Sequence, residues 1–371
     1  MANEARENNY SIQFLRFIFA IVMCFGHALA VTMLAAYSQY DVLKYSIKGC
    51  FVSLYFFFVM SGFFLPKALK RSLEEFILDR IIRLWPVLAF SIFITALFRP
   101  LKLLNVSFTG YDFATLLFLQ GVGVSQEPGL NGVAWFVCVL FWLSIIYLVI
   151  IKIIKNNLVN TIIILLIVFI SASIYYNSLG ITVRGVVHGF MPIFVLNGLF
   201  TIGFGVLINQ LNKMLNKKNN KWLFYDTTTP FLKIFFSLSE ISILLFILVY
   251  VCFMGVEIHP LLSITTIILF SILLLLFYNK SGFLSAHLLN KPSLDFLGKS
   301  SYSIYIMQPV TFCIINAMAY NTTGVLTNNV SIVLVSVMLL YILWGLIAYF
   351  LVEKPVQALY KNIKRKNNEQ N

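Results

Sequence analysis

The chain has 371 residues, of which 60% are hydrophobic and 11% are charged, and its formal net charge is +13. Ordinary soluble domains are about 45–50% apolar and about 25% charged, so a soluble globular fold is excluded. The lysines and arginines stand mainly between long apolar runs, so nucleic acid is not expected as a partner. These properties predict an all-α polytopic membrane protein built as one membrane domain.

About ten transmembrane helices are predicted, because a helix needs about 20 apolar residues to cross the hydrocarbon core. Between the third and fourth spans lies the segment 101–131. Its stretch DFATLLFLQ is too short to span, which is typical of an interfacial or re-entrant helix. The predicted spans are 11–35, 49–66, 80–98, 132–153, 158–176, 188–208, 233–254, 259–278, 299–320 and 328–353.

The placement of basic residues predicts that both termini are cytoplasmic. With the N-terminus inside, 21 of the 27 lysines and arginines fall in cytoplasmic segments, five fall outside, and Arg16 lies within the first span. We therefore divide the chain into a cytoplasmic segment 1–10, a transmembrane domain 11–356 and a polar, disordered cytoplasmic tail 357–371. The leader MANEARENNY is mixed in charge, so no cleaved signal peptide is expected.

The five cysteines show neither zinc-ligand nor redox-motif spacing, so neither a disulfide framework nor a metal site is predicted. A charged side chain within the hydrocarbon core costs free energy, so each one requires a structural or functional explanation. Arg16 and His27 in the first span are eleven residues apart, which places them on one helix face about 16 Å apart. This favours a polar path entering the membrane. The alternative is that Arg16 reaches lipid phosphates and His27 packs against a carbonyl.

Two further polar features flank the cytoplasmic side. Ser61 lies in FFVMSGFF, where the following Gly62 would allow helices to approach closely. Arg80 and Arg83 in DRIIRLWP are neighbours on one helix face at the predicted start of span three. Two guanidinium groups on one face suit phosphate binding, although they could equally anchor the helix to lipid phosphates.

Span nine begins LGKSSYSIYIMQP, which brings Tyr302 and Gln308 into the membrane. Glu240 in span seven is the clearest carboxylate within lipid, and it could pair with an arginine or tune the site. The remaining histidines, His188, His259 and His287, are interpreted as background. Since Arg16, Ser61, Arg80, Arg83 and Tyr302 all lie near the cytoplasmic leaflet, we expect a cation-lined pocket there with His27 at its deep end.

These motifs together resemble the membrane acyltransferase-3 family, of the polysaccharide O-acyltransferase type and as a stand-alone member. R-x10-H, FFVMSGFF, RIIRLWP, LGKSSYSIYIMQP and the closing VEKP occur in order across about 11–356. The resemblance implies transfer of an acyl group, commonly acetyl, from cytoplasmic acyl-coenzyme A to a carbohydrate at the outer side. It implies location in the bacterial inner membrane. Acetyl-coenzyme A is then a co-substrate, and no permanently bound cofactor is expected.

Residue by residue, the resemblance implies that Arg16 and His27 form the essential pair and that Arg80 and Arg83 bind the acyl donor. Ser61 and Tyr302 are expected beside the donor, with Glu240 and Gln308 as possible supporting residues. Two departures stand out. Many relatives carry a histidine where this chain has Gln308, and its AWFVCVLFW lacks a glutamate found in many fourth spans.

The expected mechanism docks the coenzyme A phosphates at Arg80 and Arg83. The pantetheine arm, about 15–20 Å long, passes Arg16 so that the thioester reaches the level of His27. His27 then acts as general base on an acceptor hydroxyl of a surface or lipid-linked carbohydrate such as O-antigen. A transient acyl-His27 is a rival step. A transporter or flippase of lipid-linked sugar, and a structural or sensor protein, are the alternative functions, although no inverted repeat is evident.

Overall fold

The computed structural model describes residues 9–36, 49–98, 109–124, 129–178, 186–187, 191–216, 230–253, 260–321 and 330–370. Within these ranges the chain is helical apart from turns and one two-residue strand pair, β1 with β2. Besides the α-helices there are 3-10 segments at Leu65–Lys70 and Pro292–Leu294 and π-helical turns at Leu284–Leu288 and Tyr349–Glu353. The helices are α1 (Tyr10–Ala36), α2 (Ser53–Phe64), α3 (Leu73–Leu97), α4 (Gly110–Leu116), α5 (Trp135–Ile153), α6 (Asn157–Asn177), α7 (Ile193–Leu215), α8 (Pro230–Phe253), α9 (Pro260–Tyr278), α10 (Asp295–Ile306), α11 (Gln308–Asn321), α12 (Val330–Ala348) and α13 (Lys354–Gln370). The strands are β1 (Val186–Val187) and β2 (Met191–Pro192), paired antiparallel.

Eight helical segments of the described chain are long and apolar enough to cross a membrane. The two remaining predicted spans, 259–278 and 299–320, are also helical, as α9 and as the pair α10 and α11. The all-α polytopic fold predicted from composition is therefore confirmed. The first five residues of the stretch DFATLLFLQ belong to the seven-residue helix α4, which is too short to span.

Large apolar side chains cover the outside of the bundle. On α6, Phe169 is 72% exposed and Leu158 is 69% exposed, and Phe231 of α8 is 75% exposed. Soluble monomers rarely expose contiguous apolar patches of this size, so these faces are the surfaces that contact lipid. The chain is a multi-pass membrane protein.

Glycines bring α2 and α7 into backbone contact. A Cβ atom added to Gly62 would overlap the carbonyl oxygen of Ile202, and one added to Gly205 would overlap the carbonyl oxygen of Val59. Small residues at both positions let the two helices approach at a distance that any side chain would prevent. The close approach expected at Gly62 is thus confirmed.

We expect Gly205→Ala to destabilise the protein by about 1–3 kcal/mol, because the added methyl group forces the two backbones apart. The matched control is Gly110→Ala at the start of α4, where an added Cβ meets no atom within 4 Å. Thermal unfolding in detergent measures both variants. Equal unfolding temperatures for Gly205→Ala and Gly110→Ala would contradict this account of the helix contact.

Span three begins earlier than predicted. Its helix α3 starts at Leu73 rather than at residue 80. Ser72 caps it, since the Ser72 hydroxyl accepts a hydrogen bond from the Glu75 amide at 3.0 Å and the Glu75 carboxylate accepts one from the Ser72 amide at 3.2 Å. The capping box starts the helix within a charged stretch that hydropathy assigns to a loop. Arg80 and Arg83 therefore lie inside the helix rather than opening it.

The C-terminal tail was predicted to be disordered, and this is wrong, because residues 354–370 form the helix α13. Two contacts fix α13 to the beginning of α3. The Tyr360 hydroxyl donates to Asp79 at 2.8 Å, and the Lys364 ammonium lies 3.2 Å from the Glu75 carboxylate. Contacts with Asp79 and Glu75 of α3 therefore stabilise α13, although the polar composition of α13 alone favours exposure to water.

Span nine is also broken, where one helix was expected. The interruption falls at Met307, between α10 and α11, two residues before Pro309. Proline has no amide hydrogen to donate to the preceding turn. The Val310 amide bonds to the Met307 carbonyl at 3.2 Å instead of continuing the α-helical pattern to Ile306. The carbonyl of Ile306 is thereby left for other donors.

Candidate functional site

A cavity of about 1190 Å³ lies at one end of the bundle, and five of the predicted site residues line it. These residues come from four helices that are distant in sequence. They are Arg16 of α1, Ser61 of α2, Arg80 and Arg83 of α3, and Tyr302 of α10. The structure therefore gathers around one cavity the residues expected near the cytoplasmic leaflet.

The cavity is strongly cationic. Besides the three arginines just named, Lys67, Arg71 and Lys280 line it. Among its lining residues in the described chain, Asp79 is the one carboxylate, and it is ion-paired with Arg71 at 2.7 Å. A concave surface with this charge balance concentrates anions.

Both ends of the described chain lie at this end of the bundle. Asn9, the first described residue, lines the cavity, and its side-chain amide donates to the Phe277 carbonyl at 2.9 Å. At the other end of the chain, α13 contacts the cavity residue Asp79 through Tyr360. Residue 9 and helix α13 therefore lie at the same end of the described bundle.

Arg80 is held in a fixed orientation inside the cavity. Its Nη2 donates to the Ser61 hydroxyl at 3.3 Å, and its guanidinium carbon lies 5.1 Å from the centre of the Phe76 ring. Arg83 lies one turn further along α3 and is exposed. One cation of the pair is thus oriented by neighbours, and the other faces the open space of the cavity.

Arg16 carries an unsatisfied donor. It is 9% exposed, and its Nη1 donates to the Gln13 side-chain oxygen at 2.7 Å. Its Nε is buried and has no hydrogen-bond partner among the described residues. A buried guanidinium with an unused N–H is costly unless a ligand atom completes its hydrogen bonding. The Nε–H of Arg16 is therefore available to donate a hydrogen bond to an anionic or carbonyl oxygen of a ligand.

Glu353 is a polar residue that the sequence interpretation missed. It is 4% exposed and ends a single π-helical turn, Tyr349–Glu353. Its carboxylate accepts from the Ser303 hydroxyl at 2.5 Å and interacts electrostatically with Arg83 and Arg16. It places a buried carboxyl group near these two cations. The closing motif VEKP was the one sequence signal for it, and no role was assigned there.

Tyr302 joins α10 to the arginine-bearing helix. Its hydroxyl donates to the Leu84 carbonyl at 2.6 Å, and Leu84 is the residue that follows Arg83. The hydroxyl hydrogen of Tyr302 is used in this bond and is not available to a ligand. Tyr302 therefore fixes the position of α3 relative to α10 while its ring lines the cavity.

His27 pairs with Gln308, the two lying 281 residues apart in sequence. The ring nitrogen Nδ1 is hydrogen-bonded to the Gln308 Oε1, and the Gln308 Nε2 donates to the Cys24 sulfur at 3.2 Å. The imidazole also packs edge-on against Phe51 and Phe312, with ring centres 5.0 and 6.2 Å away. Neither His27 nor Gln308 is among the residues that line the cavity. The expected position of His27 at the deep end of the pocket is therefore corrected, because aromatic rings enclose it.

The helix break places Gln308 at His27. The Ile306 carbonyl, freed by the break, accepts from the Ser91 hydroxyl at 2.8 Å and from the Asn131 side-chain amide at 3.1 Å. Ser91, Asn131 and Ile306 are all fully buried. Side chains of two other segments thus stabilise the interruption immediately before Gln308.

Glu240 has a structural environment and does not line the cavity. It is fully buried, and its carboxylate accepts from the backbone amides of Gly282 at 3.0 Å and Ser285 at 3.1 Å, and also from the Ser285 hydroxyl. Neither of the two expected roles applies, because the carboxylate caps the turn that follows α9 rather than pairing with an arginine or joining the cavity.

No histidine or cysteine whose side chain the structure describes lines the cavity. His287 is exposed and packs against Phe283, while His188 and His259 lie outside the described residues. Cys24, Cys50, Cys138 and Cys313 are buried thiols, none of them paired in a disulfide.

Comparison with protein families identifies the chain. A family model described as an acyltransferase domain, that of the acyltransferase-3 family, matches residues 9–351. Comparison with curated proteins and with solved structures gave no match. The match spans nearly the whole described bundle, including every residue of the cavity and of the His27 environment. The chain therefore belongs to the acyltransferase-3 family.

Proposed function

We propose that this protein transfers an acyl group, most simply acetyl, from cytoplasmic acyl-coenzyme A to a hydroxyl of a cell-surface or lipid-linked carbohydrate. Family membership supports acyl transfer in general. The observation that carries the donor assignment is the cavity, in which six cationic side chains face one ion-paired carboxylate. The predominance of basic residues in the segments around this end supports a cytoplasmic cavity. Location in a bacterial inner membrane is part of the proposal and rests on family membership.

The donor's phosphates bind at Arg80 and Arg83 in this proposal. Guanidinium groups form bidentate, charge-assisted hydrogen bonds with phosphate oxygens. Arg80 is already oriented by Ser61 and Phe76, so little side-chain entropy is lost when it binds. The buried Nε of Arg16 lies further along the cavity wall and is available to an oxygen of the pantetheine arm or thioester.

His27 is the proposed general base. Because Nδ1 is engaged by the Gln308 oxygen, Nδ1 carries the hydrogen and Nε2 is the nitrogen that can take up a proton. In the transfer step, the acceptor hydroxyl oxygen attacks the thioester carbonyl carbon and its proton passes to Nε2. The C–S bond breaks, and the thiolate of coenzyme A leaves and regains a proton.

The spacing of Arg16 and His27 matches the reach of the donor. Eleven residues of helix rise separate them by about 16 Å. A pantetheine arm of about 15–20 Å covers that length, so phosphates held at the cavity and a thioester beside His27 are compatible. The rival step, a transient acyl group on His27, uses the same nitrogen.

Reconstitution tests this function. Purified protein in vesicles is given labelled acetyl-coenzyme A and a lipid-linked glycan, and label is expected in the glycan as a base-labile ester. A flippase of lipid-linked sugar is the second candidate for a cationic cavity. If the protein labelled no acceptor with several acyl donors yet moved lipid-linked sugar across the vesicle membrane, the acyltransferase assignment would be replaced by transport.

We expect Gln308→Ala to lower kcat by about 10-fold or more and to leave the KM for the donor unchanged, because Gln308 orients His27 without touching the donor cavity. Gln308→His, which retains an acceptor nitrogen, should restore part of the activity. The pH profile of kcat should shift in Gln308→Ala, since the hydrogen bond to Nδ1 is lost. The measurement is steady-state acyl transfer as a function of pH.

The matched control is Gln120→Ala. Gln120 is 2% exposed, and its oxygen accepts from Thr115 at 3.4 Å rather than contacting His27. Both variants remove a buried amide, but one of them acts on the imidazole. A shift of the pH profile in Gln120→Ala as large as in Gln308→Ala would contradict the positioning role.

A further inference from the structure

The cavity has a second cationic wall that is separate from the arginines of α3. The Lys67 ammonium lies 4.7 Å from the centre of the Phe64 ring and 5.2 Å from the centre of the Tyr278 ring. The two rings pack edge-on with centres 5.9 Å apart. A cation held over two aromatic faces forms a site in which a charged group and a flat ring can bind side by side.

Side-chain amides extend this wall. Asn279 and Asn216 both line the cavity. The Asn279 amide donates to the Asn212 side chain at 2.9 Å, and the Asn216 amide donates to the Asn279 oxygen at 3.2 Å. The amides are therefore fixed by one another rather than free to rotate. Both amide nitrogens donate their two hydrogens within the protein, so the side-chain oxygens of the pair are the groups that can accept from an amino group of a heterocycle.

Lys280 completes the wall in an unusual backbone conformation. It lies two residues past the end of α9 with φ +53°, where glycine is the usual residue. Its amide bonds to the Phe277 carbonyl at 3.3 Å, so the conformation belongs to the helix cap. A lysine at this position costs conformational energy that glycine would avoid, and it places a cationic residue in the cavity lining.

We propose that this wall, Lys67 with Tyr278 and Lys280, binds the nucleoside 3′-phosphate end of the donor. The inference rests on the proposed function, since it assigns coenzyme A as the donor. Coenzyme A carries its charge in two places, a diphosphate at the pantetheine arm and a separate 3′-phosphate on the ribose beside the adenine. Apart from Arg16 and the ion-paired Arg71, the cations of the cavity likewise fall into two groups, Arg80 with Arg83 and Lys67 with Lys280.

This division explains why the aromatic rings accompany the lysines. Adenine stacks on aromatic side chains, and base-aromatic stacking contributes substantially to binding without depending on base identity. Phe76, the ring beside the arginine pair of α3, is only 5% exposed, whereas Tyr278 is half-buried and lines the cavity. The wall at Tyr278 therefore receives the nucleoside, and the arginines receive the diphosphate nearest the reactive arm.

The test compares coenzyme A with 3′-dephospho-coenzyme A, measured as dissociation constants with the full-length protein in detergent. Wild type is expected to bind coenzyme A about 10-fold or more tightly than the dephospho form, the effect of one charge-assisted phosphate contact. Lys67→Gln and Lys280→Gln should each lose most of this ratio. Both variants should bind the dephospho form as wild type does.

Two controls separate the walls. Lys213→Gln removes an exposed lysine of the last turn of α7 that does not line the cavity, and it should keep the full ratio. Arg83→Gln should weaken both forms equally and also keep the ratio. Thermal unfolding reports whether each variant is folded, and Lys67→Arg, which preserves the charge, should retain discrimination.

The outcomes are distinguishable. Equal affinity of wild type for the two forms, or an unchanged ratio in folded Lys67→Gln and Lys280→Gln, would overturn the 3′-phosphate assignment. A phospholipid headgroup offers the same phosphate chemistry, so the titration is repeated in anionic vesicles. Loss of discrimination there would assign the wall to lipid. Binding of neither form by wild type would instead overturn the donor proposed for the whole cavity.

Discussion

Replacing His27 by alanine is expected to lower acyl transfer by about 10²–10⁴-fold, the contribution typical of a positioned general base. The imidazole is the sole side chain of the described chain that Gln308 orients through its oxygen. Removing it leaves the donor cavity intact, since His27 does not line that cavity. Donor affinity should therefore stay within about twofold of wild type.

The measurement is a pair of assays on the same preparation, label transfer to glycan and binding of acetyl-coenzyme A. His287→Ala is the matched control, because His287 is exposed and lies on the turn after α9. It should keep full activity. Acyl transfer at the wild-type rate in His27→Ala would remove His27 from the mechanism, and covalent label on wild-type His27 would favour the acyl-histidine step.

The double substitution Arg80→Gln and Arg83→Gln is expected to raise the KM for the donor by about 10²-fold or more, since each charge-assisted contact contributes about 1.5–3 kcal/mol. The kcat at saturating donor should change much less, because neither arginine contacts His27. Arg80→Lys alone should also raise KM, since an ammonium keeps the charge but lacks the planar fork. Initial rates across donor concentrations measure these effects.

Arg365→Gln is the control for the loss of positive charge at this end of the bundle, because Arg365 is exposed on α13. Its KM should match that of wild type. If the double variant changed kcat and left KM unaltered, the arginines would not be the donor's phosphate site, and their role would lie with lipid phosphates instead.

The sequence allowed the membrane class, the approximate spans and five of the residues that line the cavity to be predicted. Composition sufficed for the first two, because hydropathy is a local property. The convergence of Arg16, Arg80 and Tyr302 could be predicted from orientation alone, since charges that lie at one depth in different spans must share a leaflet. The depth of a residue in the membrane can be predicted from its position within a span. The helices that pack beside that span cannot be predicted in this way.

Lateral pairing accounts for what was missed. The contact of His27 with Gln308 joins two helices far apart in sequence, and no periodicity within either helix indicates it. Glu353 was quoted as part of a motif, but its proximity to Arg16 depends on how the last helix packs. Glu240 was considered as a partner of arginine because backbone amides, its actual partners, carry no sequence signal.

The attachment of α13 to α3 has a consequence for how the protein is made. Tyr360 is translated 281 residues after Asp79, its hydrogen-bond partner. Helix α3 is synthesised early. Glu75 and Asp79 near its start therefore lack their partners on α13 until the later helices have been synthesised. A chain that ended before residue 354 would lack both contacts, and Asp79 and Glu75 would keep only their partners Arg71 and Ser72. Helix α13, translated after the other described helices, therefore completes the polar contacts at the start of α3.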